Sequence, residues 1–531
     1  MENLPETTES SRSGLIFEEE TTCSKYHETQ RTSIAAAKVI AESLKSSLGP
    51  MGRDKALVDE HGFVTITNDG ATILDNMEID HPAAKILIEA AKTQDREMGD
   101  GTKTVVVLAG RLLEKAEDLI KKGVHPTTII DGYSLSAKKA LQLLEDMAMP
   151  VKADDRKILK KIAATAMASK LLTGKKEFFA NIIVDAVLHV TQMVGGKREA
   201  DPENIKMQKK LGGTLLETKL IRGIILEKEA VHTEMPKEIK KAKIAILNCP
   251  LEVETIEFDT KIHFDKMDEL KDWLDEEKAM LKKMVKKVAS VGANVVISQE
   301  GIDELAQYYL SKKGILAVQR ITSSDLSKVV KATNGRIVTD IMDLRPNDLG
   351  AAEIVKEEKI GSDKLIFIEG CKNPLAVTVL IRGGAERILE EAERSLHDAI
   401  FVVKDVIENP RVLVGGGAPE IEVARRLRNY STRFRGKEQL AIANFAEALE
   451  ILPMTLAENA GGDPIDAIVQ CRSRHGKDEH WVGIDGESGE AKDMRSCAIY
   501  EPLAVKMQAI KSASETASMI LKIDNVIAES E

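Results

Sequence analysis

Four short loops contain glycine, and two of them also carry a hydroxyl, amide or carboxylate side chain, a combination typical of anion-binding turns. They are Leu48-Gly49-Pro50-Met51-Gly52, Asn68-Asp69-Gly70, Gly99-Asp100-Gly101-Thr102 and Val414-Gly415-Gly416-Gly417. Each is expected at or near the start of a helix, where free backbone N–H groups and the helix dipole can hold negative charge. Because three loops lie near the start of the sequence and one near its end, we expect a single anion site built from both ends of the chain.

The aspartate of the third loop indicates which anion this would be. A carboxylate beside a phosphate is repelled unless a cation lies between them, so Asp100 indicates phosphate together with Mg²⁺. Backbone N–H groups at Gly49, Gly101 and Gly416 would then hold the phosphate oxygens. The sequence predicts binding of ATP and Mg²⁺, with Asp100 as the metal ligand.

Hydrolysis of ATP would need a carboxylate that orients or deprotonates the attacking water, an effect of about 10²–10⁴-fold on the rate. Asp398 and Asp69 are the candidates, because each occupies or follows a junction that should be exposed. His397 is next to Asp398, but neighbours on a helix point about 100° apart, which favours a packing role. A plain turn at Asp100 stays an alternative, since the run GDGTKT lacks the glycine that a Walker A loop has immediately before its lysine.

The composition describes a globular protein with ample core. The 531 residues correspond to about three or four domains. A net charge of -11 and an aromatic content of 3% argue against a nucleic-acid partner. No run approaches the roughly 20 apolar residues of a membrane span, and the five scattered cysteines suit a reducing compartment. We expect a cytoplasmic protein without membrane or nucleic-acid partners.

Helical patterns at both ends of the sequence enclose a central region of alternating strands and helices. Apolar spacing predicts helices over 82–98 and 102–122, and mainly helical structure again towards the end. Buried strands are predicted at Ile244–Cys249, Val295–Ser298 and Ile315–Val318, which indicates an α/β module. This order predicts a discontinuous domain into which a central module is inserted.

A charged helix inside this module carries apolar residues between Met267 and Val288. Two interpretations stay open. The helix packs its apolar face on its own domain, or it projects and keeps that face for partners.

Seven motifs, in this order along the chain, resemble those of group II chaperonin subunits. They are LGPMGR, TITNDGATIL, HPAAKILIEAAKTQDREMGDGT, ERSLHDA, VGGGAPEIEVA, LAENAGGDP and EPLAVKMQAIKSASETASMIL. The resemblance extends from about Thr32 to Ala528. It is greater to archaeal thermosome subunits than to eukaryotic cytosolic ones, and it is compatible with a divergent paralogue of a hetero-oligomeric ring.

The resemblance implies a multidomain α and α/β protein with the chaperonin fold. A helical protrusion at about 254–284 would serve as a built-in lid, which favours the projecting interpretation. Residues 1–22 are predicted to form a disordered acidic arm. The implied domains are a mostly helical equatorial domain at 23–153 and 408–531, an intermediate domain at 154–222 and 373–407, and an α/β apical domain at 223–372.

The resemblance also implies roles for individual residues. Asp69 and Asp398 match positions tied to hydrolysis, and Asp100 matches the Mg²⁺ ligand. The positions implied to bind the nucleotide are Leu48, Gly49, Pro50, Gly101, Thr102, Lys103 and Gly416 at the phosphates, Lys170 as a sensor of the γ-phosphate, Gly483 and Asp485 beside the adenine, and Glu501 near the ribose.

Lys103 departs from the family pattern, which usually has Thr or Ser at this place. An ammonium group there would hold product or displace the metal or a water, and either effect slows turnover. We therefore predict a slow ATPase that the change Lys103→Thr accelerates several-fold. The alternative is that Lys103 extends into solvent on its flexible stem.

The predicted function is ATP-driven folding of non-native proteins inside a double ring. The ring would contain roughly eight or nine subunits on each side, which are copies of this chain and paralogous subunits. Two alternatives stay open, a structural ring subunit that binds nucleotide but hydrolyses it poorly, and a monomeric metabolic ATPase.

Overall fold

A computed structural model describes residues 21–23, 26–58, 61–62, 64–77, 79–167, 174–253, 267–372, 374–524 and 527–529. The chain divides into two compact units. The first unit comprises Met1–Thr173 and Asn409–Glu531, and the second unit comprises Gly174–Glu408. The first unit is therefore assembled from both ends of the chain. The finer division into equatorial, intermediate and apical domains stays a prediction.

The first unit begins with β1 Thr21–Cys23, α1 Tyr26–Lys45, β2 Lys55–Val58, β3 Val64–Thr67, α2 Gly70–Asp75, α3 Pro82–Met98, α4 Thr102–Lys121, α5 Pro126–Met147, β4 Met149–Pro150 and α6 Arg156–Ala166. The second unit contains α7 Lys176–Val190, β5 Thr191–Val194, β6 Lys197–Ala200, β7 Ile205–Leu211, β8 Lys219–Ile221, β9 Gly223–Leu226, β10 Glu238–Leu247, α8 Met267–Ser290, β11 Val295–Ser298, α9 Glu304–Lys312, β12 Leu316–Val318, α10 Ser323–Thr333, β13 Ile337–Val338, β14 Gly350–Ile360, β15 Asp363–Glu369, β16 Val377–Gly383 and α11 Glu386–Glu408. The first unit resumes with β17 Arg411–Val414, α12 Ala418–Ser431, α13 Lys437–Leu449, α14 Ile451–Asn459, α15 Pro464–His475, β18 Val482–Ile484, β19 Ala491–Asp493, β20 Tyr500–Pro502, α16 Leu503–Leu521 and β21 Ile527–Glu529.

Helix α4 lies at the centre of the first unit because it is apolar on most of its circumference. Its side chains Val105, Leu108 and Leu112 are fully buried, and it packs against α1, α3, α13 and α16. Gly110 allows a close approach of α1, since a Cβ at this position would overlap Ala41. One core made from both chain ends therefore fixes the position of α4, whose N-terminus follows the third glycine loop.

The second unit contains the predicted α/β module. Its main sheet has the strand order β12-β11-β10-β14-β15-β9, with β13 added beside β10. Strands β10, β11 and β12 are parallel, and β14, β15 and β9 continue the sheet in antiparallel register. The parallel strands are joined through α8 and α9, as expected for crossover connections. A separate sheet has the order β7-β16-β8 and packs against α7 and α11.

The last part of α8 is an ordinary amphipathic helix. Leu281, Val285 and Val288 are buried in a core of the second unit, whereas Met280, one residue earlier, is 49% exposed. From Leu281 onwards, the apolar face of α8 therefore packs on its own unit, which is the first of the two interpretations. Of the predicted protrusion at about 254–284, residues 254–266 lie outside the described residues.

The two ends of the chain pair with each other. Strand β1 is antiparallel to β21, with Thr21 opposite Glu529 and Thr22 opposite Ala528. The predicted disordered arm included Thr21 and Thr22, and this boundary was wrong because pairing with the end of the chain orders them as a strand. Residues 1–20 of the arm lie outside the described residues.

One helical stretch, Lys437–Asn459, is long and apolar enough to cross a bilayer by length and composition, with a mean hydropathy of 1.4. Its most apolar window is 61% buried inside the protein. At Glu450, between α13 and α14, the buried carboxylate pairs with Arg428 and Arg472. The apolar character of this stretch is therefore that of a helix pair in a protein core.

Candidate functional site

The third glycine loop forms a tight reversal between α3 and α4. Gly99 ends α3 with φ 65° and Gly101 precedes α4 with φ 86°, both in the left-handed region that favours glycine. Gln94 donates from Nε2 to the carbonyl of Asp100 at 2.9 Å and braces the loop. Helix α4 starts at Thr102, and Gly101 before it has no side chain that could cap the helix. The backbone N–H groups in the first turn of α4 are therefore not capped by a side chain.

The fourth loop joins β17 to α12 in the same manner. Gly416 and Gly417 have φ values of 66° and 72°, and Gly417 gives α12 no side-chain cap. A Cβ at Gly416 would lie 2.5 Å from Met494 Sδ and 2.6 Å from the carbonyl of Ile484. The N–H of Ile484 donates to the carbonyl of Gly416 at 2.7 Å. The loop therefore needs glycine because a second segment packs directly against it.

That second segment is the β18–β19 hairpin, which carries two of the predicted site residues. A Cβ at Gly483 would lie 2.6 Å from the carbonyl of Gly416, so the two glycines are in direct contact. Asp485 accepts hydrogen bonds from Ser488 Oγ at 2.8 Å and from Lys492 Nζ at 2.7 Å. Burial raises the pKa of Asp485, but Lys492 and Ser488 outweigh this effect and hold it below its usual range. Asp485 therefore stabilises the turn of this hairpin.

The first loop lies beside the same hairpin. Gly49 has φ 83°, and a Cβ there would overlap the side chain of Leu456 on α14. Asn459, also on α14, donates from Nδ2 to the carbonyl of Leu48 at 2.8 Å. Pro50 contacts Gly486, where a Cβ would lie 2.6 Å from the proline ring. The predicted residues Leu48, Gly49 and Pro50 are thus held by elements from the C-terminal part of the chain.

Lys103 connects the first two loops. Its Nζ donates to the carbonyl of Ser47 at 2.9 Å and to Asn68 Oδ1 at 2.7 Å. Asn68 in turn donates from Nδ2 to the carbonyl of Gly52 at 3.2 Å. The alternative in which Lys103 extends into solvent was wrong, because two oxygen atoms of neighbouring loops bind its ammonium group.

Asp69 caps helix α2. Its Oδ2 accepts hydrogen bonds from both the backbone N–H and the hydroxyl of Thr72, each at 2.7 Å. One carboxylate oxygen of this predicted hydrolytic residue therefore has a structural role, as is usual for aspartate at a helix N-terminus.

A buried ion-pair network lies at the start of α16. Lys506 Nζ is 2.7 Å from Glu420 Oε1 and 2.7 Å from Glu501 Oε2. Although burial lowers the pKa of Lys506, the two carboxylates raise it well above its usual value. Burial raises the pKa of Glu501, and Lys506 opposes that rise. Lys506 is therefore a permanently charged group that balances part of the acidity around it.

The segment Glu501–Lys506 contacts the two glycine loops that precede α4 and α12. A Cβ at Gly415 would lie 2.7 Å from Glu501 Oε1, and a Cβ at Gly101 would lie 3.3 Å from Val505 Cγ1. Burial raises the pKa of Asp100, whereas the Gly101 N–H and the charges of Lys506 and Lys103 lower it. The loops at Gly101 and Gly415, which are more than 300 residues apart in sequence, thus meet at one segment.

Residues 40–531 match the TCP-1/cpn60 chaperonin family. The chain belongs to this family. It is 52% identical over 504 residues to a thermosome subunit of Methanopyrus kandleri, which covers 95% of this chain and 92% of that protein. It is 52% identical over 516 residues to a thermosome subunit of Pyrococcus horikoshii, which covers 97% of this chain and 94% of that protein. Thermosome subunit alpha of Archaeoglobus fulgidus is 51% identical over 514 residues, with the same coverage of 97% and 94%.

These matches confirm the prediction of a group II chaperonin subunit similar to archaeal thermosome subunits, and with it the multidomain chaperonin fold. At the level of the family, the chain is an ATP-dependent molecular chaperone. The roles of single residues stay predictions.

Asp398 and Lys170 are the two remaining residues predicted from the resemblance. Asp398 lies on α11 in the second unit, whereas the glycine loops belong to the first. The neighbouring ring of His397 packs on Phe401 with ring centroids 4.7 Å apart, in agreement with its predicted packing role. Lys170 lies outside the described residues.

Asp95 contacts the candidate site and was missed by sequence reasoning. Thr102 donates from Oγ1 to Asp95 Oδ1 at 3.3 Å. Burial, together with the negative charge of Asp69, raises the pKa of Asp95 to about 6. The sequence could have indicated this contact, because Asp95 lies in the last turn of α3. Residues one turn before Gly99 face the loop that follows. Lys506 gave no comparable signal, since its partner Glu420 is far away in sequence.

Proposed function

We propose that this chaperonin subunit binds ATP with Mg²⁺ at the glycine loops of the first unit and uses hydrolysis to fold non-native proteins. The observation that carries this proposal is the contact of the segment Glu501–Lys506 with the loops at Gly101 and Gly415. Each of these loops leads into a helix without a side-chain cap. Two helix N-termini therefore offer backbone N–H groups to the phosphates of one nucleotide.

The surplus of carboxylates supports Mg²⁺ as the second ligand. Burial raises the pKa values of Asp100 and Glu501, and the charge of Asp100 adds to the rise at Glu501. A nucleotide triphosphate would add several negative charges at the same place. A divalent cation offsets this repulsion, and Asp100 in the loop before α4 would hold it through its carboxylate. When bound, Mg²⁺ would neutralise charge that develops on the phosphate oxygens.

The remaining roles follow from the matched motifs. Gly49, Gly101 and Gly416 would hold the phosphates through their backbone N–H groups. Leu48, Pro50, Thr102 and Lys103 would complete the phosphate site. Gly483 and Asp485 lie on a hairpin that would border the adenine, and Glu501 would face the ribose.

Hydrolysis would depend on a carboxylate that directs the attacking water. Asp398 is the preferred residue, because one oxygen of the other candidate, Asp69, is occupied as a helix cap. Lys170 would sense the γ-phosphate. We propose a slow turnover that depends on Lys103, since its bridge between Ser47 and Asn68 restrains two loops that border the phosphates.

The assembly would be a double ring in the cytoplasm. The relatives in Archaeoglobus fulgidus are named thermosome subunit alpha and thermosome subunit beta, which supports a ring that contains paralogous subunits. Copies of this chain and such paralogues would be its partners, and non-native proteins its clients. Neither nucleic acid nor a membrane is part of the proposal.

Binding and single-turnover hydrolysis of ATP by the purified protein test this function. We expect Mg²⁺-dependent binding, then one hydrolytic event per site, and a particle many times the 58.2 kDa mass of one chain. Binding without hydrolysis would favour the structural subunit, and a particle of one chain would contradict the ring.

A further inference from the structure

A second group of ligand atoms lies in the first unit outside the glycine loops. Glu422 on α12, His475 at the end of α15 and His480 in the next loop offer one carboxylate oxygen and two ring nitrogens that lie within 4.8 Å of one another. The side chains of Glu422 and His475 are completely buried, and that of His480 is 27% exposed. The proposed ATP chemistry uses none of the three.

The hydrogen bonds of His475 determine which of its nitrogens carries a lone pair. Its Nε2 lies 2.7 Å from the carbonyl oxygen of Val482, and a carbonyl can only accept, so Nε2 must carry the hydrogen. In the neutral ring, Nδ1 then has a lone pair. This lone pair points at Glu422 Oε2, which is 3.0 Å away. Two lone pairs at this distance need a cation between them.

His480 approaches the same oxygen atom. Its Nδ1 is 3.2 Å from Glu422 Oε2, yet it is buried and makes no hydrogen bond within the described part of the chain. Its Nε2 faces Asp478 Oδ1 at 3.6 Å, a distance for charge attraction rather than a hydrogen bond. The carboxylate of Asp478 favours the hydrogen on Nε2, which leaves the lone pair on Nδ1.

The other oxygen of Glu422 is held by arginines. Arg425 Nη2 and Arg426 Nε both donate to Oε1 at 2.7 Å, and Arg425 Nε also reaches Oε2 at 3.0 Å. The two guanidinium groups, which are positively charged and hydrogen-bonded to this carboxylate, favour its ionised form. Glu422 is therefore ionised, as a metal ligand must be.

We propose that Glu422, His475 and His480 bind one divalent transition-metal ion, with Zn²⁺ as the representative ion. Ligand atoms about 2.1 Å from a shared zinc ion lie about 3.0–3.4 Å apart, and the two distances to Oε2 are 3.0 Å and 3.2 Å. Ligating histidines usually donate their other N–H to a carbonyl or a carboxylate. Val482 and Asp478 supply these partners.

The consequence would be a cross-link between three segments of the first unit. It would join α12, α15 and the loop before β18. Strand β18 contains Ile484, whose backbone N–H donates to the carbonyl of Gly416. Binding to the folded state alone would raise the free energy of unfolding with the logarithm of the metal concentration. The competing occupant is a proton, which would make His475 a buried imidazolium paired with Glu422 and leave no room for metal.

Zn²⁺ titration of the tag-free, assembled protein distinguishes the two occupants. Exposed thiols such as Cys497 are alkylated first, and millimolar Mg²⁺ is present throughout to occupy Asp100. We expect one Zn²⁺ per chain and a spectrum in X-ray absorption that contains two imidazole ligands. His480→Ala should weaken binding by about 100-fold, and Asp478→Asn by about 10-fold.

His61→Ala is the matched control, because it removes an exposed histidine of the same unit that is not part of the cluster. Its Zn²⁺ affinity should equal that of the unmodified chain. Two results would overturn the proposal: no Zn²⁺ bound by the unmodified chain, as a protonated His475 requires, or equal affinity in the unmodified chain and His480→Ala.

Discussion

The ammonium group of Lys103 lies 2.7 Å from the side-chain oxygen of Asn68 and 2.9 Å from the carbonyl of Ser47. Asn68 uses its amide nitrogen to bind the carbonyl of Gly52. One lysine side chain thereby ties together the loop that ends at Gly52 and the loop that contains Asp69. Lys103 is thus a brace between two parts of the proposed phosphate site.

Lys103→Thr should lower the free energy of unfolding by about 1–3 kcal/mol, because it leaves two partly buried acceptors without their donor. We also expect ATP turnover to rise several-fold as the two loops are released. Urea unfolding and steady-state rates measure the two effects. Lys122→Thr, an exposed change at the end of the same helix, should alter neither. Unchanged stability together with an equal or slower rate would show that Lys103 restrains nothing.

Asp100→Ala should weaken binding of ATP at least about tenfold in the presence of Mg²⁺, which corresponds to about 1.4 kcal/mol. The reason is the loss of the carboxylate that holds the metal. Fluorescence titration with and without a chelator provides the measurement, and the difference between the two proteins should vanish without Mg²⁺. Asp54→Ala, at an exposed carboxylate, is the control. A tenfold loss that persists in the chelator would count against the metal role.

Asp398→Ala should lower ATP turnover by about 10²-fold or more while ATP affinity stays nearly constant. Activation of water stabilises the transition state and not the bound substrate, so its loss appears in kcat. Glu386→Gln, at the exposed start of the same helix, should behave as the unmodified chain. Normal steady-state turnover in Asp398→Ala would remove this residue from the mechanism.

Asp95→Asn should stabilise the protein at neutral pH. The pKa of Asp95 is about 6 in the folded state and about 3.9 in an unfolded chain. The folded state therefore holds the proton more tightly, and ionisation lowers the free energy of unfolding as the pH rises from about 4 to 6. After allowance for solvent screening of this half-buried group, the gain is about 1–2 kcal/mol at pH 7.

The gain from Asp95→Asn should disappear below about pH 4, where both states hold the proton. Denaturant unfolding at pH 4 and pH 7 measures it, and Asp118→Asn provides an exposed control on the neighbouring helix. An equal effect of Asp95→Asn at both pH values would show that its carboxyl group does not titrate as described.

Removal of residues 254–279 should abolish enclosure of a client while ring assembly and ATP hydrolysis continue. The deletion ends before Leu281, because from there the helix is part of a buried core. Protease protection of a bound client in the presence of ATP is the assay. Full protection in the shortened protein would refute the lid.

Local signals allowed accurate prediction of several elements. Helix α3 was predicted at its observed bounds, because Pro82 begins it and Gly99 ends it in the left-handed conformation. Strand β11 was also predicted at its observed bounds, since Val295–Ser298 is a short apolar run. The apolar repeat predicts a helix from Thr32 to Ser47, whereas α1 begins at Tyr26, because its first turns lack that repeat.

Contacts between distant parts of the sequence could not be predicted in this way. Lys506 and Glu420 are 86 residues apart, and neither is unusual in its local sequence. The pairing of β1 with β21 joins the two ends of the chain. The direction of the Lys103 side chain could not be predicted either. A flexible side chain binds whichever acceptors the surrounding loops offer in the fold.

The central claim is that one nucleotide is held by loops from both ends of the chain. Single-particle electron microscopy of the purified protein with Mg²⁺ and a non-hydrolysable ATP analogue tests it most directly. We predict a double ring in which each subunit holds one nucleotide, with phosphate density at the N-termini of both α4 and α12. Phosphates that contact only one of these helices, or a nucleotide bound elsewhere, would contradict the claim.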